Sequence, residues 1–283
     1  MNQQHFEKKS TEKSTDKKRT PFKLTLIILI LCFIWWFNNF TISVHTEIVH
    51  DDRINSEITI VHISDLHSAS FGRNNANLIA EIKRQKPDII TVTGDMYTSN
   101  DSNGEETAQN LLTKLTEIAP VYYVNGEHDL KKSFSEALSE SGVNVLNYKD
   151  EVVTINDTSL HLYGITNVYY TPTFDLANKF EPDSERYSIL LAHIQNFDKF
   201  ASFGIDLSLC GDTHGGMIRL PFVGAVYTPD GGVFPELSGN LIKGMYQKNG
   251  KRMFITSGLG NYPLPIRFCN RPEIAVLKLK PNK

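Results

Sequence analysis

The pattern of apolar and polar positions divides the chain into three unequal stretches. Residues 1–23 are polar, lysine-rich and almost free of large apolar side chains. Such a segment cannot bury enough surface to offset its ordering entropy, and it is expected to be a disordered basic tail. From Leu24 the pattern reverses, and residues 24–44 form a run of 21 without a charge, the length of one bilayer-spanning helix. Trp35 and Trp36 fall toward its far end, where indole rings favour the membrane interface. A buried helix of a soluble core is the competing reading. A cleaved signal peptide is disfavoured, because no small-x-small site follows the apolar core.

After residues 45–56, read as a linker, β-branched runs alternate with helical spacing. Residues 58–63, 88–93 and 121–124 read as strands. Leu78, Ile79 and Ile82 recur at helical spacing, and a second helix is expected near 105–118. That succession predicts βαβ units with a largely internal sheet. The second half is richer in strands, expected at 152–155, 159–165, 188–193, 205–210, 253–257 and 273–279. Neither an internal repeat nor an interdomain linker interrupts it, so residues 57–281 are expected to form one α/β domain.

Composition changes this picture little, since 40% apolar and 22% charged residues are ordinary for a globular chain. A net charge of −3 gives no basic excess for polymeric nucleic acid. Charge placement says more. Lys8, Lys9, Lys13, Lys17, Lys18, Arg19 and Lys23 all precede the apolar run. The bias keeps the N-terminus cytoplasmic and puts the domain on the outer face of the cell membrane, behind a single-pass anchor. Three cysteines, Cys32, Cys210 and Cys269, are too few and too scattered for a disulfide framework or a thiolate cluster.

Candidate chemistry lies in five short islands, each directly after an apolar run: Asp65-Leu66-His67, Gly94-Asp95, Gly126-Glu127-His128-Asp129, His193 and Gly211-Asp212-Thr213-His214. Strand ends in α/β sheets hold loops rigidly while water still reaches them. Asp-x-His places a carboxylate and an imidazole on one side of an extended chain. Such mixed ligands suit Mn²⁺, Fe or Zn²⁺ better than Ca²⁺ or a thiolate-bound ion. One Asp or His at a strand end is more often a cap or loop residue; five islands together point to a site for two metal ions.

The order of these islands resembles that of the calcineurin-like metallophosphoesterases, and within them the YkuE-like membrane-associated group. The resemblance runs from about Ile60 to Leu279. It extends to Ser64-Asp65-Leu66-His67, Lys86-Pro87-Asp88-Ile89-Ile90, Gly215-Gly216-Met217-Ile218-Arg219-Leu220-Pro221-Phe222 and Arg271-Pro272-Glu273. It implies a sandwich of two mixed β-sheets flanked by helices. It also implies a first metal held by Asp65, His67, Asp95 and His214, and a second held by Asp95, Glu127, His193 and Asp212. His128 would protonate the leaving oxygen, and Asp129 would orient His128 by accepting its other N–H. The implied reaction is hydrolysis of a phosphate ester or pyrophosphate by a metal-bridging hydroxide. The substrate would be a phosphate-containing small molecule or, given the anchor, a lipid-linked envelope ester.

Two positions depart from the family pattern, which usually has Asn where this chain has Glu127 and His where it has Asp212. Four ligand carboxylates then replace the usual two. The extra charge would reduce both the pull on phosphate and the acidity of bound water. A catalytically weak or inactive metal-binding scaffold of the same fold is therefore the alternative reading. Arg219, Arg267 and Arg271 are candidates for contacting phosphate, with ion pairing or surface solvation as the competing role.

Overall fold

A computed structural model describes residues 16–166, 174–262 and 265–282 of the chain. Helix α1 (Asp16–Phe40) leads into strand β1 (Ser43–Asp51). The first half of the domain then alternates β2 (Ile58–Ile63), α2 (Ala76–Arg84), β3 (Ile89–Val92), α3 (Ser102–Thr116), β4 (Val121–Tyr123), α4 (Lys132–Glu140) and β5 (Asn144–Val145). The second half holds β6 (Lys149–Ile155), β7 (Thr158–Ile165), β8 (Tyr187–Ala192), α5 (Phe197–Phe203) and β9 (Leu207–Cys210). Four two-residue strands follow: β10 (Arg219–Leu220), β11 (Gly224–Ala225), β12 (Tyr227–Thr228) and β13 (Gly232–Val233). The chain closes with β14 (Gly244–Lys248), β15 (Lys251–Ile255) and β16 (Glu273–Pro281).

Two mixed six-stranded sheets result, in the orders β1-β16-β2-β3-β4-β5 and β14-β15-β9-β8-β7-β6. Period-two alternation sends Ile58 and Ile60 of β2 inward to meet Leu160, Ile189 and Leu207 of the other sheet. Val61 and Ile63 point outward onto Leu78, Ile82, Leu112 and Leu115 of α2 and α3. Phe200 of α5 covers the far face of the second sheet beside Leu190 and Met253. Because β2 and β8 are covered on both faces, all their residues are buried, which is why they read as continuous apolar runs. His62 belongs to that interior: burial pushes its pKa down to about 4, and Nδ1 meets Thr91 Oγ1 at 3.2 Å.

The N-terminal boundaries differ from those expected. Residues 1–15 of the basic tail lie outside the described residues, but 16–23 begin α1 and are not an irregular tail. The apolar run does not continue to Val44, because α1 stops at Phe40. Asn38 and Asn39 near its end are buried against the domain. Asn38 Oδ1 accepts the Cys269 N–H at 2.8 Å. Asn39 Oδ1 accepts from the Arg267 N–H at 2.7 Å and from Asn261 Nδ2 at 3.0 Å. Uncharged amides leave a hydropathy window apolar while joining the helix to the domain.

Nor are residues 45–56 a linker. Ser43–Asp51 is an edge strand paired in parallel with β16, from Ser43↔Glu273 to Asp51↔Pro281. Its polar alternation suits a half-exposed edge and hides it from an apolar-run reading.

Two measurable consequences follow from these joints. Asn39→Ala leaves the buried Arg267 N–H without an acceptor, at a cost of about 1–3 kcal/mol, read as a lower melting temperature of the full chain in detergent. A second joint ties β1 to the other sheet. Arg53 grips Asp51 at 2.7 Å and Asp206 at 3.0 Å, while Lys251 meets Asp206 at 2.8 Å. Burial opposes ionisation of Asp206, but hydrogen bonds from Arg53, Lys251 and Ser188 hold its carboxyl below the usual range. A depressed folded pKa contributes stability above the unfolded value and loses it as pH falls through the folded one. Asp206→Asn is expected to cost about 3 kcal/mol at neutral pH, and the difference from the wild type narrows as pH falls through the folded-state pKa of Asp206. Melts at neutral and at acid pH check both parts.

Candidate metal centre

The carboxyl ends of parallel strands β2, β3 and β4 in one sheet and β8 and β9 in the other carry all five islands. Backbone bonds lace the loops together: Asp65 N–H to Gly94 O, His67 N–H to Asp95 O and Gly211 N–H to His193 O, each at 3.0 Å. The turns are tight enough to force non-glycine residues into the left-handed region: Asp65 (φ 53°), His67 (44°), Asp95 (52°), Asp212 (70°) and His214 (50°). Each such residue costs on the order of 1 kcal/mol, and such strain clusters at functional sites. Gly94 (φ 83°) and Gly126 permit the closest approach. A Cβ on Gly94 would sit 2.1 Å from Gly126 N, and one on Gly126 would sit 2.2 Å from Asp95 Oδ1.

Three overlapping groups of donor atoms, each within 4.8 Å of one another, come together there: Asp65, His67 and His214; His67, Asp95 and His128; Asp65, Asp95 and His193. Asp95 Oδ2 lies 3.6 Å from His67 Nε2 and 3.3 Å from His193 Nε2. His193 donates Nδ1–H to Thr93 O at 2.6 Å. That bond leaves Nε2 toward Asp95 and toward Asp212 Oδ1 at 3.8 Å, an orientation typical of metal-ligating imidazoles. Asp65 Oδ2, both His67 ring nitrogens, His193 Nε2 and His214 Nδ1 are buried without a hydrogen-bond partner. Orphaned buried polar atoms each cost about 1–3 kcal/mol. Carboxylate oxygens and imidazole nitrogens concentrated in this way fit a site for metal ions.

Electrostatics agree. Burial raises the Asp65 carboxyl to about 7. It raises Asp212 to about 6, with the charges of Glu127 and Asp95 adding to the effect. Burial opposes the charge on His193, but Asp95, Asp65 and Asp212 hold its pKa well above the usual value. Burial likewise opposes ionisation of Asp95, and the neighbouring His193 charge keeps it well below the carboxylate range. His67 is pushed down to about 3 and His214 lower still than usual, both chiefly by burial. A cation among these carboxylates would be favoured by the same charges that favour the charged form of His193.

The third island departs from expectation. Asp129 does not orient His128: its carboxylate accepts the Gly126 N–H at 2.6 Å and the Met96 N–H at 3.0 Å. It braces the two loops instead. Nδ1 of His128 accepts the Ser99 N–H at 3.3 Å. Glu127 is exposed and lines the cavity above the cluster together with Asp212. Among the described residues, neither belongs to the three close groups.

None of the three arginines lines the cavity. Arg267 is 1% exposed and donates to Gly260 O, Asn261 Oδ1 and Ser257 O, with its pKa pushed down to about 10 by burial. Arg271 lies 4.5 Å over the Phe37 ring and donates to Thr41 Oγ1 and Ile42 O. Arg219 pairs with Glu236 at 2.7 Å.

Tyr262 was not foreseen. Its ring stacks on His67 at 4.7 Å and meets His128 edge-on at 4.7 Å. Asn270 was missed as well, donating Nδ2–H to His214 O at 2.7 Å. Neither residue sits next to an island in sequence, so spacing carried no signal for them.

Residues 58–216 match the family described as calcineurin-like phosphoesterase. The uncharacterized metallophosphoesterase YkuE of Bacillus subtilis is 30% identical over 231 residues, covering 78% of each chain. The phosphodiesterase YaeI of Escherichia coli is 27% identical, over 78% of this chain and 81% of that one. A zebrafish (Danio rerio) transmembrane protein with a metallophosphoesterase domain is 24% identical over 79% of this chain and 53% of its own.

Proposed function

Because this chain belongs to the calcineurin-like phosphoesterase family, we propose that it is a metal-dependent phosphoric ester hydrolase held at the outer face of the cell membrane by α1. One observation carries the catalytic part: the unpartnered buried donor atoms of Asp65, His67, His193 and His214 around Asp95. Asp65, His67 and His214 would hold one ion, Asp95 would be shared, and His193 with Asp212 would hold a second, with Glu127 at its rim. Bound ions there would supply Lewis-acid polarisation of phosphoryl oxygen and activation of water. Mixed oxygen and nitrogen donors suit Mn, Fe or Zn. The additional carboxylates at 127 and 212 favour a hard or trivalent ion at the second position.

This chain's own residues supply proton control. Because His128 Nδ1 accepts from the Ser99 backbone, the imidazole proton is held on Nε2. A general acid so placed delivers that proton to the leaving oxygen. Tyr262 packs against both His67 and His128 and limits their rotation.

The membrane part is supported by the helix Phe22–Phe40, which is long and apolar enough to cross a bilayer. The basic residues ahead of it favour a cytoplasmic N-terminus. The test is hydrolysis of bis(p-nitrophenyl) phosphate and p-nitrophenyl phosphate by the full chain. Turnover that needs Mn²⁺, is lost in chelator and returns on re-addition is expected. Absence of turnover with Mn, Fe or Zn, in a folded chain, leaves the scaffold reading in its place.

A further inference from the structure

The cavity over the donor cluster measures about 1080 Å³, far more than a phosphoryl group fills. Beyond the cluster its wall gains the apolar side chains of Phe197, Met217, Ile218, Val226, Leu241 and Tyr246, interspersed with polar ones such as Gln195, Asn196, Asp230 and Lys248. Most of these apolar side chains are only half-buried. They are too many to be explained by orienting an inorganic group, and an apolar pocket wall is what binds an apolar ligand.

The segment that builds this arm also presents Leu220, Phe222, Tyr227, Val233 and Leu237 to solvent, with Phe222 fully exposed. Clustered exposed apolar side chains mark contact surfaces for membranes or partners. The position of the segment distinguishes these. Arg219 N–H donates to Phe268 O at 2.9 Å, and Phe268 N–H to Met217 O at 3.2 Å. The next residue, Cys269, donates to Asn38 at the end of the apolar helix. The arm wall is thus hydrogen-bonded to the strip of chain that holds α1, which fixes the cavity close to where that helix would leave a bilayer.

We propose that the arm is a subsite for the hydrocarbon portion of an amphiphilic phosphate ester drawn from the membrane. The inference rests on the hydrolase reading above and names its substrate class.

A chain-length series tests it. The full chain in detergent, loaded with Mn²⁺, is given methyl, butyl and octyl p-nitrophenyl phosphate, with thymidine 5′-(p-nitrophenyl phosphate) as a nucleotide comparator. Each buried methylene strengthens binding about fourfold, so kcat/KM should rise at least about tenfold from methyl to octyl. That ratio should fall toward one in Val226→Asn and Leu241→Asn, whereas partitioning into detergent is the same for all variants. Equal rates on methyl and octyl esters, or preference for the nucleotide, overturn the subsite and leave the hydrolase standing. If no ester is turned over, the hydrolase reading fails first. Calorimetric titration with methyl and octyl phosphate then decides the subsite alone: octyl should bind at least about tenfold tighter, and equal affinities overturn it.

Discussion

Asp95→Asn is expected to lower phosphodiester turnover by about a thousandfold or more and to strip the chain of metal, while the fold survives. The size follows from losing shared charge stabilisation worth several kcal/mol at the reacting centre. Asp95 belongs to two of the three donor groups: Oδ2 faces His67 at 3.6 Å and His193 at 3.3 Å, and Oδ1 accepts the His128 N–H at 2.8 Å. Asn keeps the shape and one acceptor, so the left-handed turn and its glycine contacts persist. Metal content per chain, measured with kcat on one preparation, checks the result. Full activity with full metal content would remove Asp95 from its central place.

His128→Asn separates catalyst from ligand. Loss of a positioned general acid costs about 10²- to 10⁴-fold in kcat. Metal content should be unchanged, even though one of the close donor groups includes His128. The loss should be steeper for an alkyl leaving group than for p-nitrophenolate, because the poorer leaving oxygen needs the proton more. Metal loss in this variant would make His128 a ligand. An equal loss for both leaving groups would deny it the proton-donating role.

The strand ends were legible in the sequence because parallel strands buried on both faces are mostly apolar and carry no Asp, Glu or Gly. Their termination in Asp, His and Gly therefore stood out at 65–67, 94–95, 193 and 211–214. β1 was hidden for the converse reason: an edge strand alternates, and Ser43–Asp51 reads as ordinary polar chain. The joint between α1 and the domain was also hidden. Asn38 and Asn39 count as uncharged in a membrane window, yet their amides bond backbone 228 or more residues away in sequence.

Side-chain roles were less legible than positions. The family resemblance implied that Asp129 would orient its neighbour His128. The turn instead aims the Asp129 carboxylate back at the Gly126 and Met96 N–H groups. Arg267 was a candidate for phosphate contact, with ion pairing or surface solvation as the competing role, but it is buried against the Gly260 and Ser257 carbonyls. Tyr262 comes to His67 through tertiary packing alone, which no local spacing encodes.

Glu127 and Asp212 carry the chain's departure from its family pattern. In the structure both line the cavity, and the Glu127 charge helps raise the Asp212 carboxyl. A cation between them would relieve that repulsion.

Anomalous scattering from crystals of the Mn²⁺-loaded protein tests the central claim most directly. Two peaks are predicted, sharing Asp95, one beside Asp65, His67 and His214 and the other beside His193 and Asp212. A single peak at the first position would contradict the second site. No peak within the cluster would contradict the account as a whole.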